Sequence, residues 1–232
     1  MAIFVTGDTH GDVSRLLYGK WPANHVISIG DVVFVLGDFG VIWENVSTPK
    51  EKRLLSLLAK KDYITMIIDG NHENIPRLYN LPESELFGGK VGVIKAGKVF
   101  HCRRGEIYTI EGKKFFTFGG ATSIDRHLRV PGVSWWKEEV ASAAEMDYGL
   151  GNLEKHQYAV DYILAHTAPE DISKVLIKQF NSFYNDPDPT RKYLEHVCKN
   201  CTFTEFYCGH WHVQADIDKY HFLYEDIRQI TW

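Results

Sequence analysis

The segment VVFVLGD at residues 32–38 decides the fold class. Its five apolar residues form the kind of run that is typical of a strand buried in a parallel sheet. A glycine and Asp38 follow where that strand must end. The same order, an apolar run and then polar residues, recurs at residues 3–10 and 64–73. The first third of the chain is therefore predicted to alternate strands with helices through parallel crossovers.

Helix-start signals and further apolar runs predict the remaining elements. Thr48-Pro49 followed by Glu51 combines an N-cap, a proline at the first helical position and a capping-box glutamate, so a helix is predicted over residues 49–60. Pro169 and Asp188-Pro189 open two more helices. Strands are predicted at Ile3–Thr6, Val32–Leu36, Ile64–Ile68, Val99–Cys102, Ile107–Ile110, Phe115–Phe118, Tyr162–Ala165 and Phe203–Cys208, with short strands and tight turns over 213–232. The chain is interpreted as one α/β domain over residues 1–232.

Composition excludes several classes of protein. With 44% hydrophobic and 24% charged residues, the 232-residue chain is globular rather than disordered. Its apolar runs fall short of the roughly 18 residues that a membrane span needs, and residues 1–8 lack the basic start of a signal peptide. Four cysteines without an export signal indicate reduced thiols and a cytoplasmic location. A net charge of −4 disfavours long nucleic acid as a partner.

Five of the predicted strands are followed at once by side chains of the types that ligate metals. In open α/β sheets, ligands bind beyond the carboxyl ends of the strands, so these side chains are expected to meet at one edge. A glycine precedes the polar residue in four of the five cases and lets the backbone turn out of the strand. The side chains are Asp8, His10, Asp38, Asn71, His166, His210 and His212.

Two aspartates, one asparagine and four histidines are enough to hold two divalent metal ions. Such donors suit manganese, which we expect first, or iron, zinc, nickel or cobalt, rather than calcium. Two ions about 3.5–4 Å apart require a bridging carboxylate, and Asp38, alone after its strand, is the expected bridge.

The ordered set of motifs resembles the calcineurin-like metallophosphoesterases. The motifs are Asp8-x-His10, Gly37-Asp38, Gly70-Asn71-His72-Glu73, His166 and Gly209-His210-x-His212. The resemblance implies a four-layer αββα sandwich of two mixed β-sheets. It also implies one metal on Asp8, His10, Asp38 and His212, and a second on Asp38, Asn71, His166 and His210. His72 would contact the phosphate and donate a proton.

The resulting hypothesis is a dinuclear-metal-dependent phosphoester hydrolase. A metal-bridging hydroxide would attack phosphorus in line, Asn71 would help to neutralise the phosphoryl oxygens, and His72 would protonate the leaving group. The substrate would be a phosphorylated small molecule, a nucleotide or a phosphopeptide, and either a monoester or a diester. The alternative is a non-catalytic module that senses a nucleotide or binds a partner through the same fold. The sequence leaves the oligomeric state open.

One departure from the family pattern concerns the surroundings of the proton donor. After Gly37-Asp38 the protein Ser/Thr phosphatases continue with an aspartate, which orients the catalytic histidine, and an Arg-Gly pair. Here Phe39, Gly40 and Val41 follow instead. The middle segment, residues 119–136, is similar to that of small phosphoesterases of bacteria and their phages.

The long insert between Glu73 and His166 is predicted to set selectivity. It is rich in cations and aromatic residues, and most of it is not needed to carry metal ligands. Arg126 and Arg129 are candidates for gripping substrate phosphate, and replacing Arg126 by alanine is expected to weaken kcat/KM by about 1–3 kcal/mol. Of the adjacent Trp135 and Trp136, one is expected in the core and the other as a stacking platform.

Four further groups of residues receive simpler interpretations. Asp31 precedes its strand and is expected to be a loop residue at the opposite edge of the sheet. Cys198 and Cys201 are expected to be free thiols rather than a zinc site. Residues 137–139 are interpreted as the solvated start of a helix. A basic strip for a nucleic-acid end remains an alternative, formed by Arg103, Arg104, Lys113 and Lys114.

Overall fold

The computed structural model describes residues 1–19, 21–22, 27–180 and 187–232. The helices are α1 (Ser14–Tyr18), α2 (Pro49–Leu58), α3 (Ile75–Tyr79), α4 (Ala143–Lys155), α5 (Glu170–Phe180) and α6 (Pro189–Asn200). The strands are β1 (Ile3–Thr6), β2 (Val32–Leu36), β3 (Ile64–Ile68), β4 (Glu83–Leu86), β5 (Gly89–Lys95), β6 (Val99–Cys102), β7 (Ile107–Ile110), β8 (Lys113–Phe118), β9 (Tyr162–Ala165), β10 (Glu205–Cys208), β11 (Ala215–Ile217), β12 (Tyr220–Phe222) and β13 (Ile227–Ile230). Short 3-10 turns lie at Arg126–Leu128 and Lys137–Glu139.

The strands form two mixed sheets. The first has seven strands in the order β13-β1-β2-β3-β6-β5-β4, and the second has six in the order β11-β12-β10-β9-β8-β7. The central strands β1, β2, β3 and β6 run parallel, as do β8, β9, β10 and β12. Hairpins or returning segments add antiparallel strands at the edges. The α/β class with two mixed sheets is confirmed.

The alternation of side chains along the strands separates four layers. Ile3 and Val5 in β1 share an apolar core with Phe115 and Tyr162 of the other sheet, so the two sheets pack face to face. The residue between them, Phe4, points to the opposite side and packs in a core with α1 and α2. On the outer face of the second sheet, buried side chains of α4, α5 and α6 complete a third core with β8, β9 and β10. The layers are therefore helix, sheet, sheet, helix.

Most of the predicted elements have the expected bounds, and the differences lie at their ends. Thr48 caps α2 by accepting a hydrogen bond from the Glu51 amide at 3.1 Å, but the helix ends at Leu58 rather than at residue 60. The strand expected from Phe203 begins at Glu205, because Phe203 packs in the outer core before sheet pairing starts. Within the described residues, none of the helices is long and apolar enough to cross a membrane.

The basic strip expected around Arg103 and Arg104 is wrong, because both side chains are buried. Arg104 donates from Nε and Nη2 to Oδ2 of Asp69 at 2.8 and 2.5 Å, and His101 lies 3.1 Å from the other Asp69 oxygen. Burial alone would raise the pKa of Asp69, but Arg104 and His101 outweigh it and lower that pKa below its ordinary value. Lys113 pairs with Asp161 at 3.0 Å.

Candidate metal centre

The polar residues that follow β1, β2, β3, β9 and β10 meet at one edge, where the two sheets adjoin. Backbone hydrogen bonds connect their loops: the His10 amide donates to the Asp38 carbonyl at 2.8 Å, and the Gly209 amide donates to the His166 carbonyl at 3.0 Å. The His210 amide donates to the Asp8 carboxylate at 2.9 Å, which joins the two sheets directly. These hydrogen bonds hold the loops in fixed positions relative to one another.

Five of these residues hold the left-handed backbone conformation that residues other than glycine rarely adopt. Such conformations cost about 1–3 kcal/mol each and persist where the surrounding structure over-determines them, which is common at functional sites. The residues and φ angles are Asp8 (20°), His10 (46°), Asp38 (49°), His210 (67°) and His212 (50°). Their concentration in one cluster indicates that the fold tolerates unfavourable backbone conformations in order to orient these side chains.

The glycines before the polar residues are required mainly by space. A Cβ atom on Gly37 would overlap the His166 imidazole, and one on Gly70 would overlap the Asp38 carboxylate. A Cβ atom on Gly209 would crowd the carboxylate of Asp8 in the same way. Of these three, only Gly37 has a positive φ, of 87°. Close approach of neighbouring loops, rather than a sharp turn, therefore explains Gly70 and Gly209.

The first group of donors is Asp8, His10, Asp38 and His212, whose ligand atoms all lie within 4.8 Å of one another. The Nε2 atoms of His10 and His212 are 3.0 Å apart. His212 Nε2 lies 3.8 Å from Oδ1 of Asp8, and His10 Nε2 lies 3.9 Å from Oδ2 of Asp38. Two imidazole nitrogens that converge with two carboxylates form a donor set suited to a divalent transition metal.

The second group surrounds His166 and is buried. Its Nε2 lies 3.4 Å from Oδ1 of Asp38 and 3.0 Å from Oδ1 of Asn71, and its ring is 4.8 Å from that of His210. The Nδ1–H of His166 donates to the Leu36 carbonyl at 2.8 Å, which fixes the ring so that Nε2 points into this group.

That nitrogen faces the amide oxygen of Asn71 at 3.0 Å and a carboxylate oxygen of Asp38 at 3.4 Å. An imidazole nitrogen, an amide oxygen and a carboxylate oxygen converge here, so the donor types of the second group also fit a divalent metal ion. The two oxygens of Asp38 each face one of the groups, so this carboxylate could serve both.

Two supporting residues could not be assigned a role from the sequence. Glu73 is buried and accepts hydrogen bonds from the amides of Phe39 at 2.5 Å, Gly40 at 3.3 Å and Gly70. Its carboxylate therefore joins the loops that carry Asp38 and Asn71. The motif contained Glu73, but nothing in its spacing indicated that it binds backbone.

Arg15 is the second of these supporting residues. Its guanidinium donates to the carbonyls of Gly7 at 3.0 Å, Asp8 at 2.9 Å and Tyr224. The ring of Tyr224 stacks on His212 with centroids 4.6 Å apart. Arg15 thus holds both ends of the first donor group, and an arginine on a five-residue helix gave no sequence signal for this.

His72 lies beside the donor groups without belonging to either. Its backbone amide donates to Oδ1 of Asp38 at 2.7 Å, and its ring meets His10 edge-on at 5.1 Å. Trp43 stacks on the His72 ring with centroids 5.9 Å apart, and Nη2 of Arg129 lies 3.3 Å from its Nε2. The half-buried ring is therefore held between an aromatic wall and a cation.

The candidate residues of the insert differ in how close they lie to the donor groups and in how exposed they are. Arg129 is held by both oxygens of Asp125 at 2.7 Å and reaches His72, whereas the side chain of Arg126 is exposed. Trp136 is buried and packs edge-on against Trp43 at 5.2 Å, which makes it part of the wall behind His72.

The simpler interpretations have mixed outcomes. Asp31 accepts a hydrogen bond from the Ala2 amide at 2.7 Å at the start of β2, as expected of a loop residue at the opposite edge. Cys198 and Cys201 are free thiols. The solvated helix start at residues 137–139 is wrong: they form a 3-10 turn, and Glu139 is only 1% exposed because it binds Ser123.

The charges of the centre favour uptake of a cation. The pKa of Asp8 is raised well above its ordinary value, chiefly by burial and further by the Asp38 charge. Burial lowers the pKa of His10 to about 4, although Asp38 opposes it, and burial lowers the pKa of His210 well below its usual range. At neutral pH these histidines present lone pairs, while Asp8 retains a proton more readily than an ordinary aspartate.

Binding of Mn²⁺ is therefore expected to release protons from Asp8 rather than from His10 or His210. Because the metal needs the ionised carboxylate and the pKa of Asp8 in the folded protein is raised, affinity should still rise with pH above the range, about pH 4–5, in which an ordinary aspartate is already ionised. Calorimetric titration in buffers of different ionisation enthalpy measures the released protons directly. Affinity that is already constant above about pH 5 would contradict this assignment.

Comparison with known proteins agrees with this geometry. No curated protein matches the chain. The family model described as calcineurin-like phosphoesterase matches residues 1–214, a span that contains all five polar strand ends and the whole insert. Members of that family are metal-dependent phosphoesterases. With a match over most of its length, the chain belongs to the calcineurin-like phosphoesterase family.

Proposed function

We propose that the protein hydrolyses phosphoesters with two divalent metal ions, and that manganese is the metal. The observation that carries this proposal is that two donor groups meet at Asp38. One oxygen of its carboxylate faces the first group, and the other oxygen faces the second. Asp8, His10, Asp38 and His212 would hold one ion, and Asp38, Asn71, His166 and His210 the other. When bound, the two ions would activate water as a nucleophile and neutralise charge on the phosphoryl oxygens.

His72 is proposed as the proton donor to the leaving group. Burial lowers its pKa in the free protein, with Asp38 opposing and Arg129 adding to the shift. A phosphoester anion beside the ring would favour the protonated imidazole, because an opposite charge stabilises it. Trp43 stacked on the ring supports this role, since it keeps the imidazole in one orientation during proton transfer.

Asn71, Arg126 and Arg129 are proposed to contact the substrate, with Arg129 as the main phosphate ligand. Asp125 fixes the Arg129 guanidinium with two bonds of 2.7 Å, so little conformational entropy is lost when it binds an anion. Replacing Arg129 by alanine is expected to lower kcat/KM by about 1–3 kcal/mol and leave metal content unchanged.

The matched control is Arg126→Ala, which removes an exposed arginine from the same loop. We expect the smaller loss there, and the two variants should be compared on the best substrate at saturating Mn²⁺. If Arg126→Ala shows the larger loss, the exposed arginine rather than Arg129 is the phosphate ligand.

The proposed substrate is a phosphorylated small molecule, a nucleotide or a phosphopeptide. The net charge of −4 and the burial of Arg103 and Arg104 support this, since long nucleic acid needs an exposed basic surface. A steep decrease of activity on oligonucleotides with added salt, absent for small esters, would instead indicate a nucleic-acid end.

The test is hydrolysis of an aryl phosphate and a bis-aryl phosphodiester by the Mn²⁺-loaded protein, before and after removal of metal by a chelator. Activity should be lost on chelation and restored by Mn²⁺, and His72→Ala should lower turnover without releasing metal. The ratio of the two substrates separates monoesterase from diesterase. Tight binding of metal and nucleotide without turnover on a phosphoester panel would favour the non-catalytic module instead.

A further inference from the structure

The side-chain amide of Asn71 has one orientation that suits a metal ligand and one that does not. Its Oδ1 faces His166 and the second donor group, and its Nδ2 donates to Oγ of Ser123 at 3.1 Å. The reversed amide would direct an NH₂ group, which has no lone pair to offer, toward the metal position. The partner of Nδ2 therefore decides whether Asn71 can be a ligand.

Ser123 can accept this hydrogen bond because its own proton is committed elsewhere. The hydroxyl donates to Oε2 of Glu139 at 2.6 Å, and the Ser123 amide donates to Oε1 of the same carboxylate at 2.8 Å. Both residues are almost fully buried, at 2% and 1% exposure, so water does not replace these bonds. A hydroxyl that donates to a carboxylate must present its lone pairs to Asn71.

The turn that carries Glu139 is anchored to the strand end that carries Asn71. Nη2 of Arg104 donates to the Glu138 carbonyl at 2.9 Å and also to Asp69, two residues before Asn71. The Glu139 amide donates to the Trp136 carbonyl at 3.0 Å, which closes the turn. The carboxylate therefore has a fixed position relative to the metal centre.

We propose that Glu139 and Ser123 are positioning residues that hold the Asn71 amide with its oxygen toward the second metal. Without Glu139, the Ser123 hydroxyl is free to rotate and donate to Oδ1, which stabilises the reversed amide. The insert, expected to serve selectivity alone, would then also determine the affinity of the second metal. This inference rests on the proposed dinuclear centre.

The test is the binding of Mn²⁺ to metal-free Ser123→Ala and Glu139→Gln, measured by calorimetry and by the electron paramagnetic resonance signal of a coupled pair of ions. We expect the second dissociation constant to increase by about tenfold or more, the usual effect of losing a partner of a metal ligand. The first should stay within about twofold of wild type, because neither residue contacts Asp8, His10 or His212. Excess Mn²⁺ should restore the coupled signal and turnover.

Two buried residues away from the centre provide matched controls. Ser173 in α5 is fully buried and donates to the Ala168 carbonyl at 3.2 Å, and Glu51 in α2 is buried and paired with Arg77 at 2.8 Å. Ser173→Ala and Glu51→Gln should change the melting temperature but neither metal constant. If Ser123→Ala does not fold, Glu139→Gln still decides the question.

The outcomes distinguish this inference from the function on which it rests. Wild-type constants for both metals in Ser123→Ala and Glu139→Gln would overturn the positioning role and leave the dinuclear centre intact. An equal loss at both metals, tracking a lower melting temperature and not recovered by excess Mn²⁺, would show a general structural role and overturn it too. A wild-type protein that binds fewer than two ions would overturn the proposed centre itself.

Discussion

Replacing Asp38 by asparagine is expected to lower kcat on the best phosphoester by on the order of 10³-fold or more. One Asp38 oxygen lies 3.9 Å from His10 Nε2 and the other 3.4 Å from His166 Nε2, so both donor groups lose their shared negative charge at once. The fold should survive, because the asparagine oxygen can still accept the His72 amide. Turnover and metal content, measured on the same preparation, give the result.

Asp31→Asn is the matched control, since Asp31 also follows a glycine and is also buried, but lies at the opposite end of β2. The Asp31→Asn variant should lose stability, because the Ala2 and Ser28 amides donate to different oxygens of Asp31 and asparagine keeps only one of them. It should keep its metals and its turnover per folded molecule. Near wild-type turnover in Asp38→Asn would refute the dinuclear mechanism.

Replacing Arg104 by methionine is expected to lower the free energy of unfolding by about 3–5 kcal/mol at neutral pH. The substitution keeps much of the side-chain volume but leaves the fully buried Asp69 carboxylate without its guanidinium. Urea denaturation measures the loss. Adding Asp69→Asn to Arg104→Met should recover part of it, because the uncompensated charge is then gone.

The same pair predicts a pH dependence with a definite sign. In the wild type the pKa of Asp69 lies below its ordinary value, so the contribution of the pair is present above about pH 4 and is lost as the pH falls further. In Arg104→Met that pKa should be raised by burial, so the variant gains stability as the carboxyl becomes protonated. The difference in the free energy of unfolding between the wild type and Arg104→Met should therefore become smaller from pH 7 to about pH 4.

If the free energies of unfolding of the wild type and Arg104→Met differ by less than about 1 kcal/mol, or by the same amount at both pH values, this account of the Arg104–Asp69 pair is contradicted. The ion pair between the exposed Lys174 and the half-buried Glu170 serves as the control. Lys174→Met should leave the urea midpoint nearly unchanged, because solvent already screens that interaction.

The parts of the fold that the sequence predicted are those whose burial is local. Runs such as Val32–Leu36 are buried on both faces, so every residue is apolar and the strand ends where the run ends. The hairpin of β4 and β5 gave no such signal. Residues 83–86 are Glu-Ser-Glu-Leu at the exposed edge of the sheet, where backbone pairing requires no apolar pattern.

Helix α4 begins at Ala143, after the helix start predicted at residues 137–139, although its own N-terminal signal is present in the sequence. Ser142 and Glu145 form a reciprocal capping box, but Gly149 and Gly151 weaken the helical signal that follows. Gly149 is needed because a side chain there would meet the Tyr193 hydroxyl of α6 and the backbone near Gly105. A contact between distant segments, rather than helix propensity, determined that residue.

The candidate site divides in the same way. The side chains at the strand ends were predictable because each strand delivers its own polar residue to a common edge. Arg15 and Glu139 were not, because their partners lie far away in sequence: the Tyr224 carbonyl for one and Ser123 for the other. A charged residue that binds backbone atoms or a single hydroxyl belongs to no sequence motif, so its role cannot be recognised from the sequence.

The distance along the chain between the donors has a consequence for biosynthesis. His10 and His212 face each other across 202 positions, and β13 pairs with β1 at the other end of the chain. A growing chain on the ribosome presents Asp8 and Asp38 long before it presents His166, His210 and His212. Of the four imidazoles only His10 is made at that stage, and oxygen donors select poorly among transition metals. The proposed centre is therefore expected to take up its metals late, after the last strands have closed the sheets.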